Sequence, residues 1–233
     1  IGQKHLTGEE APLRRSIERS TLPSMILWGP PGTGKTTLAN LVTLKTNFQL
    51  VKLSAVTSGV SDLRKLINEA DVRLGMSGQR TVLFIDEIHR FNKAQQDVIL
   101  PYVEDGTVTF IGATTENPSF EIIPPLLSRC RVFSLKALTP EDIVRILTRA
   151  LNDKAKGLGE KKLLMEEGSL ELIADLSNGD ARWALNTLEL AEGVIHRDAN
   201  SQAISLDAIR STIETKSMPH DKYGDRLLEQ NVP

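Results

Sequence analysis

A chain of 233 residues with 40% hydrophobic and 25% charged positions has ordinary globular composition and suits one large domain or two small ones. Its net charge of −2 argues against a broadly basic nucleic-acid binder, so any DNA contact must come from a local patch or a ring of subunits. The single cysteine, Cys130, excludes internal disulfides and cysteine-based metal sites, and it fits a reducing compartment. No apolar run is long enough to span a membrane and no signal peptide is visible. The start at Ile1 rather than Met reads as a fragment from which a targeting sequence could have been cut.

In chain order, Ile1 to Leu6 reads as a loop, followed by an amphipathic helix around Pro12 to Arg19. Met25-Ile26-Leu27-Trp28 is a short buried strand. It runs into Gly29-Pro30-Pro31-Gly32-Thr33-Gly34-Lys35-Thr36-Thr37, the spacing Gly, four residues, Gly-Lys-Thr. A helix over about Lys35 to Lys45 follows, with Leu38, Ala39, Leu41 and Val42 at helical spacing. A strand feeding a helix through such a turn aims several backbone N–H groups and the positive helix end at one point, which suits a polyphosphate. Lys35 is expected to reach the β- and γ-phosphates, and the Thr36 hydroxyl to ligate Mg²⁺. The alternative is a Gly/Pro-rich turn that happens to precede a lysine.

Phe48, Leu50, Val51 and Leu53 suggest a second strand ending at Ser54. Ser61 is expected to cap a helix carrying Leu63, Leu66, Ile67 and Ala70, with Gly75 and Gly78 in the loop after it. Thr81-Val82-Leu83-Phe84-Ile85-Asp86-Glu87 is a continuous apolar strand ending in two carboxylates, as expected in the middle of a parallel sheet. Ligands of such sheets sit beyond the carboxyl ends of the strands, where the first glycine-rich loop also lies. Asp86 is then expected to face Mg²⁺ and Glu87 to polarise the attacking water. Two exposed acids opening a loop are the bland reading.

A polar helix at about Lys93 to Val103 precedes a fourth strand, Val108 to Ala113, ending in Thr114-Thr115-Glu116-Asn117. Pro124 to Arg131 holds a short helix, and Val132-Phe133-Ser134-Leu135 a fifth strand. The alternation predicts a layered α/β domain with a parallel sheet over residues 1–137. At Thr139-Pro140-Glu141-Asp142 the texture changes to helix-start signals, and from there only helices are read. Ile143, Ile146 and Leu147 line the first; Leu170, Ile173, Ala174 and Leu176 the second. Asp180 caps a third with Ala181, Ala184, Leu185, Leu188 and Ile195. Ser205 starts a fourth with Leu206, Ile209 and Ile213. Residues 138–215 thus form a small helical domain, and 216–233 an extended polar tail.

The phosphate loop, the Asp-Glu strand end, the polar fourth-strand end, Ser128-Arg129-Cys130 and an all-helical second domain together resemble the AAA+ ATPases, in their clamp-loader-like branch. Trp28-Gly29-Pro30-Pro31-Gly32, Asp86-Glu87-Ile88-His89-Arg90-Phe91-Asn92-Lys93, Gly112 to Phe120 and Gly179-Asp180-Ala181-Arg182 are sharper. They resemble the RarA/MgsA family, whose eukaryotic members are called Werner helicase-interacting proteins. The match runs from Ile1 to about Asp225.

The resemblance implies a P-loop NTPase core with a five-stranded parallel sheet and flanking helices, followed by a helical lid. It implies a DNA-stimulated ATPase acting at stalled replication forks, with single-stranded or forked DNA and replication and repair proteins as partners. Tetramers would form through a C-terminal domain. Residues 226–233 do not match the expected continuation into that domain, so the fragment is read as lacking it. By position, Thr114 matches sensor 1, near the γ-phosphate and the water. Arg129 matches the arginine finger that serves a neighbouring subunit, and Arg182 matches sensor 2. Gln3 joins the loop residues Gly29 to Thr37 in the implied nucleotide site. Surface salt bridges are the bland reading of both arginines. Trp183 departs from the family pattern and is read as lid packing.

Two other functions compete. One is a Holliday-junction motor or other DNA helicase, since Asp86 to His89 superficially resembles a DExH box. The other is a clamp-loader-like subunit whose assembly ATP switches. A protein unfoldase is disfavoured because the loop Ser54 to Val60 has no aromatic to grip a peptide. Arg90, Lys93, Arg64 and Lys65 are candidate DNA phosphate contacts. The wording Ile85-Asp86-Glu87-Ile88 and Ser-Arg-Cys leans eukaryotic and so nuclear, with a bacterial cytoplasm or nucleoid as the alternative.

Overall fold

A computed structural model describes residues 1–19, 21–46, 48–194 and 203–217. Two compact units are present, Ile1–Asp142 with Asn178–Arg182, and Ile143–Ser177 with Trp183–Pro233. The first contains α1 (Lys4–Thr7), α2 (Pro12–Glu18), β1 (Met25–Trp28), α3 (Lys35–Thr46), β2 (Gln49–Ser54), α4 (Val60–Ser77) and β3 (Thr81–Asp86). A 3₁₀ turn, Ile88–Arg90, leads into α5 (Lys93–Glu104), β4 (Val108–Thr114), α6 (Pro118–Glu121), α7 (Pro124–Leu127) and β5 (Arg131–Ser134). The start of α8 (Pro140–Asn152) also belongs to this unit.

The five strands form one parallel sheet in the order β2-β3-β4-β1-β5, the sheet expected from the sequence. The inner strands β1, β3 and β4 are buried almost throughout because both faces are covered. The edge strands β2 and β5 carry Lys52 and Arg131 and are more exposed. Val82 and Phe84 point into one core with Met25, Leu27, Ile111 and the α3 residues Leu38, Ala39 and Val42. Their neighbours Leu83 and Ile85 point into the other with Ile26, Phe110, Leu63 and Ile67 of α4 and Ile99 of α5. The strand order matters for the site. β4 lies between β3 and β1, with Trp28 opposite Thr114 and Ile85 opposite Gly112, so the carboxyl ends of these strands are neighbours.

Several local expectations need correction. Ser61 does not cap α4; Gly59 stands at the cap, and its N–H donates to the Asp62 carboxylate at 2.9 Å. Acidic Asp62 in the first turn also suits the helix dipole, which a serine one position earlier does not supply. Gly75 lies inside α4, and Gly78 ends it in a left-handed conformation, φ 66°. Glu87 is not in the strand: β3 stops at Asp86 and Glu87 turns left-handed. Leu41 is 53% exposed, on the outer side of α3 away from the sheet.

The second unit holds the rest of α8, a 3₁₀ turn (Gly159–Lys161), β6 (Leu164–Met165), α9 (Ser169–Leu176), α10 (Ala181–Val194), β7 (Ala203–Ile204) and α11 (Leu206–Ser217). Ile143, Leu147, Ile173, Ala174, Ala184, Leu188 and Ile209 are buried, as their spacing predicts. Leu176 and Leu185 are exposed instead; each sits off the inward stripe of its helix. The unit is not purely helical. β6 and β7 pair in parallel through two residues each, too short for any periodicity to show. The Glu166 carboxylate accepts the Leu206 N–H at 2.8 Å and so ties this pair to the start of α11. Ile195 and the tail from 218 lie outside the described residues.

Candidate active site

The loop between β1 and α3 is anchored at its first residue. The Gly29 N–H donates to the Thr114 carbonyl at 3.2 Å, joining the loop to the tip of β4. A Cβ at Gly29 would run into the Leu135 carbonyl beyond β5, so only glycine lets the chain pass there. Within the loop, Thr33 is buried and its hydroxyl donates to Pro30 O at 2.8 Å. The Leu38 N–H takes Gly34 O and begins α3. Pro30, Pro31 and Thr37 are exposed, and Thr36 is half-buried in the first turn of α3.

Lys35 is the unusual group. It is only 8% exposed, and its ammonium donates to the carbonyls of Gly29 and Pro30, each at 2.8 Å. Burial pushes its pKa below the ordinary lysine value, opposed in part by the charges of Glu87, Asp86 and Asp180; Arg182 adds to the lowering. Lys35 is thus within electrostatic reach of both acids at the end of β3. An ammonium whose hydrogen bonds go to two carbonyls gains from an anion placed against it, and a triphosphate fits that need.

Thr36 and Asp86 offer hard oxygen donors of the kind Mg²⁺ takes. Among the described residues, no group of three His, Cys, Asp or Glu side chains could hold a metal by itself. The donor set therefore fits an ion that shares its coordination with phosphate oxygens and water.

Glu87 occupies the left-handed region, φ 55° and ψ 46°, costly for a non-glycine residue by about 1–2 kcal/mol. Its Oε2 lies 3.3 Å from Nδ1 of His89, and the same Nδ1 lies 3.0 Å from Oγ1 of Thr114. Thr114 is fully buried and its Oγ1 also accepts the Glu116 N–H at 3.0 Å. Glu87, just past β3, and Thr114, at the end of β4, are therefore joined through His89, which no reading of the chain places at the site.

Asp180 and Arg182, in the segment that packs with the first unit, complete the surroundings of Lys35. The Asp180 carboxylate accepts the Arg182 N–H at 2.8 Å and starts α10, as its position predicts. The Gly32 carbonyl accepts the Ala181 N–H at 3.3 Å. Gln3 acts on the loop from the other side. Its amide donates to Lys136 O at 2.7 Å and to Thr33 O at 3.4 Å, and accepts the Lys136 N–H at 3.1 Å.

Arg129 is elsewhere. Parallel pairing sets Met25 opposite Arg131, so Arg129 lies beyond the amino ends of β1 and β5, at the far edge of the sheet from the loop. It forms an ion pair with Glu104 of α5 and donates to Pro125 O at 2.8 Å. Arg64, Lys65, Arg90 and Lys93 are all exposed. Arg64 and Lys65 share a groove along α4 with Ser61, Asn68, Glu69 and Arg73, while Arg90 and Lys93 flank the start of α5. Gln96 was also missed. It is buried and bonds Phe91 O, Glu121 O and the Ile123 N–H, linking α5 to the segment leading to Arg129. Its only sequence signal is a polar residue on the inward stripe of an amphipathic helix.

Residues 25–138 match the family described as ATPase family associated with various cellular activities (AAA), and residues 159–230 match the AAA C-terminal domain. Replication-associated recombination protein A of Haemophilus influenzae is 47% identical over 98% of this chain and 51% of its own length. The protein of that name from Escherichia coli K12 is 48% identical over the same shares. ATPase WRNIP1 of Dictyostelium discoideum is 41% identical over 98% of this chain and 28% of its own length. The chain spans about half the length of the bacterial relatives. Among solved structures, the Thermotoga maritima RuvB Holliday junction branch migration motor matches with TM-score 0.73 at 28% identity, over 92% of this chain and 70% of that one. The chain belongs to the AAA+ ATPases, in the branch that holds the proteins named replication-associated recombination protein A and ATPase WRNIP1.

Proposed function

We propose that this chain binds ATP with Mg²⁺ and hydrolyses it to ADP and phosphate, in a DNA-stimulated cycle that acts at stalled replication forks. The observation that carries the reading is Lys35: a buried cation in a glycine loop, facing the acidic end of β3. Lys35 and the loop N–H groups from Gly29 to Thr37 hold the phosphates, with Gln3 bracing the loop. Thr36 and Asp86 hold the Mg²⁺, which when bound offsets phosphate charge. Glu87 orients and polarises the water, and the Thr114 hydroxyl contacts the γ-phosphate. Arg182 adds a second positive charge, and residues 138–215 serve as the lid.

Arg129 works on a neighbour. β1 alone spans about 13 Å, at roughly 3.3 Å per residue, between the sheet edge near Arg129 and the edge where the nucleotide loop begins. An arginine at that far edge is suited to a second subunit's site, so the working form is a homo-oligomer. Where measured in other systems, such a finger is worth on the order of 10³–10⁵ in rate. Arg64, Lys65, Arg90 and Lys93 are the proposed DNA phosphate contacts, made by several subunits together because one chain is not basic overall. Other replication and repair proteins are the proposed partners. Among the described residues no helix is long and apolar enough to cross a membrane. The proposed compartment is the nucleoid of a bacterium or the nucleus of a eukaryote, and the bacterial relatives weigh toward the first.

The likeness to RuvB favours one second reading, a motor that moves branched DNA. Steady-state ATPase of the intact protein, with no DNA and with single-stranded, duplex, forked and four-way-junction DNA, tests both. Stimulation strongest with forks supports the first reading. Stimulation confined to four-way junctions supports the second, and no ATPase under any condition overturns both.

A further inference from the structure

We infer that His89 is a positioning residue for hydrolysis, coupling the hydroxyl at the end of β4 to the carboxylate that activates water. The inference rests on the roles proposed for Glu87 and Thr114. His89 sits in the 3₁₀ turn after β3, and its side chain is 11% exposed. One ring nitrogen, Nδ1, lies 3.3 Å from Glu87 Oε2 and 3.0 Å from Thr114 Oγ1. Glu87 reaches this contact because its left-handed backbone turns the chain back at the strand end.

The chemistry fixes which proton is shared. An ionised Glu87 carboxylate only accepts, so a bare Nδ1 lone pair facing it would be repelled; Nδ1 therefore carries the hydrogen. That N–H is hydrogen-bonded to the Thr114 oxygen, and the Glu87 carboxylate lies at ion-pair distance from the same nitrogen. Oγ1 in turn accepts the Glu116 N–H, leaving its own hydrogen for Glu116 O at 3.4 Å or for a phosphate oxygen. When Thr114 turns its hydroxyl toward a γ-phosphate, the Nδ1–H bonded to it is the group that feels it, and Glu87, at ion-pair distance, is the next group along. The Glu87 side chain is 37% exposed and would otherwise sample several rotamers. His89 holds it in one and makes that position depend on Thr114.

A carboxylate misplaced by about 1 Å costs roughly 10²-fold in rate. His89→Ala in the intact protein is therefore expected to lower kcat by about 10–100-fold, with KM and nucleotide affinity within about threefold of wild type. His89→Asn places an amide donor where Nδ1 stands and is expected to recover most of the rate; His89→Leu, similar in bulk, is not. The His89→Ala/Thr114→Val double variant is expected to lose less than the two single losses combined. Glu87→Gln, run alongside, is expected to bind nucleotide and lose turnover. Wild-type kcat in His89→Ala beside a dead Glu87→Gln overturns the inference and leaves the water-activation reading standing. Normal turnover in Glu87→Gln overturns that reading and the inference with it. If His89→Ala does not fold, equal rates in the Asn and Leu variants identify a merely space-filling histidine and overturn the proposal.

Discussion

Asp180 and Gly32 are in direct contact: the carboxylate just before α10 occupies the space that any side chain on Gly32 would need. Gly32 also has φ +66°, and its carbonyl accepts the Ala181 N–H, so the phosphate loop and the start of α10 are fitted to each other at backbone level. The pair explains why the loop needs glycine here rather than merely a small residue.

Gly32→Ala therefore carries two penalties, the left-handed backbone at about 1–2 kcal/mol and the overlap with Asp180. The expected result is loss of the nucleotide-induced rise in melting temperature, seen by scanning fluorimetry. Adding Asp180→Ala removes the carboxylate from that space and should restore part of the rise, while the left-handed backbone and the close Cα of residue 180, 2.9 Å from the new Cβ, remain. A Gly32→Ala protein that binds nucleotide like wild type would show that this contact does not shape the loop.

Lys35 yields opposite pH trends for stability and binding. Burial disfavours its charged form and lowers the folded-state pKa, so the unfolded chain holds the proton more tightly. Burial of the Cys130 thiol, whose pKa is pushed up to about 12, acts in the opposite sense over the same range. The Lys35 contribution is therefore read as a difference: relative to Lys35→Ala, the unliganded fold should gain stability as pH rises through the lowered Lys35 pKa toward the ordinary 10.5. Over the same window nucleotide affinity should fall, because the ammonium that meets the phosphates is being lost. Lys35→Ala should abolish both trends and the ligand-induced stabilisation, which for a wild-type site at 100-fold excess over Kd is about 2.7 kcal/mol. Urea titrations and nucleotide binding at pH 8 to 10 provide the check; parallel rather than opposed trends would reject the assignment.

Arg129→Ala should leave nucleotide affinity unchanged and depress turnover only where subunits are assembled. The ion pair with Glu104 is about two-fifths exposed on each side, so its loss should cost no more than roughly 1 kcal/mol of stability. Mixing Arg129→Ala with Lys35→Ala subunits is the decisive measurement. The first supplies an intact loop, the second an intact finger, so mixtures should be more active than either alone. Equal loss of turnover in dilute, monomeric protein would place the arginine in its own subunit's chemistry.

Gln96→Leu keeps the volume and removes every polar atom. Phe91 O, Glu121 O and the Ile123 N–H are then left without their partner, at roughly 1–3 kcal/mol for each group that stays buried. A fall in stability of about 2–4 kcal/mol by urea unfolding is expected, with nucleotide affinity retained. A loss below about 0.5 kcal/mol, the range of surface substitutions, would mean that water replaces the lost bonds.

The phosphate loop, the five strands and the acidic end of β3 could be read from the chain because each is a local, continuous pattern. Gly29 to Thr37 is one uninterrupted string, and Thr81 to Asp86 is an unbroken apolar run whose only stable place is a sheet covered on both faces. Where local signals were weak, expectation and structure part. Ser61 and Gly59 are both plausible caps, and the carboxylate of Asp62 decided between them. β6 and β7 carry two residues each and exist only because the chain brings Leu164 and Ala203 together. Leu41, Leu176 and Leu185 match helical spacing loosely and face outward, since spacing counts apolar residues without knowing what lies opposite.

Hydrophobic period and residue chemistry within a few positions are enough to specify the parallel strands, the glycine loop and the charged groups. Which groups meet is settled by the folded chain: Glu87 with His89, His89 with Thr114, Gly32 with Asp180, and Arg129 with Glu104 at the opposite edge. Strand order is the cause. β4 inserts between β3 and β1, and that placement, set by long-range packing on two cores, turns residues 25 positions apart into hydrogen-bonded neighbours.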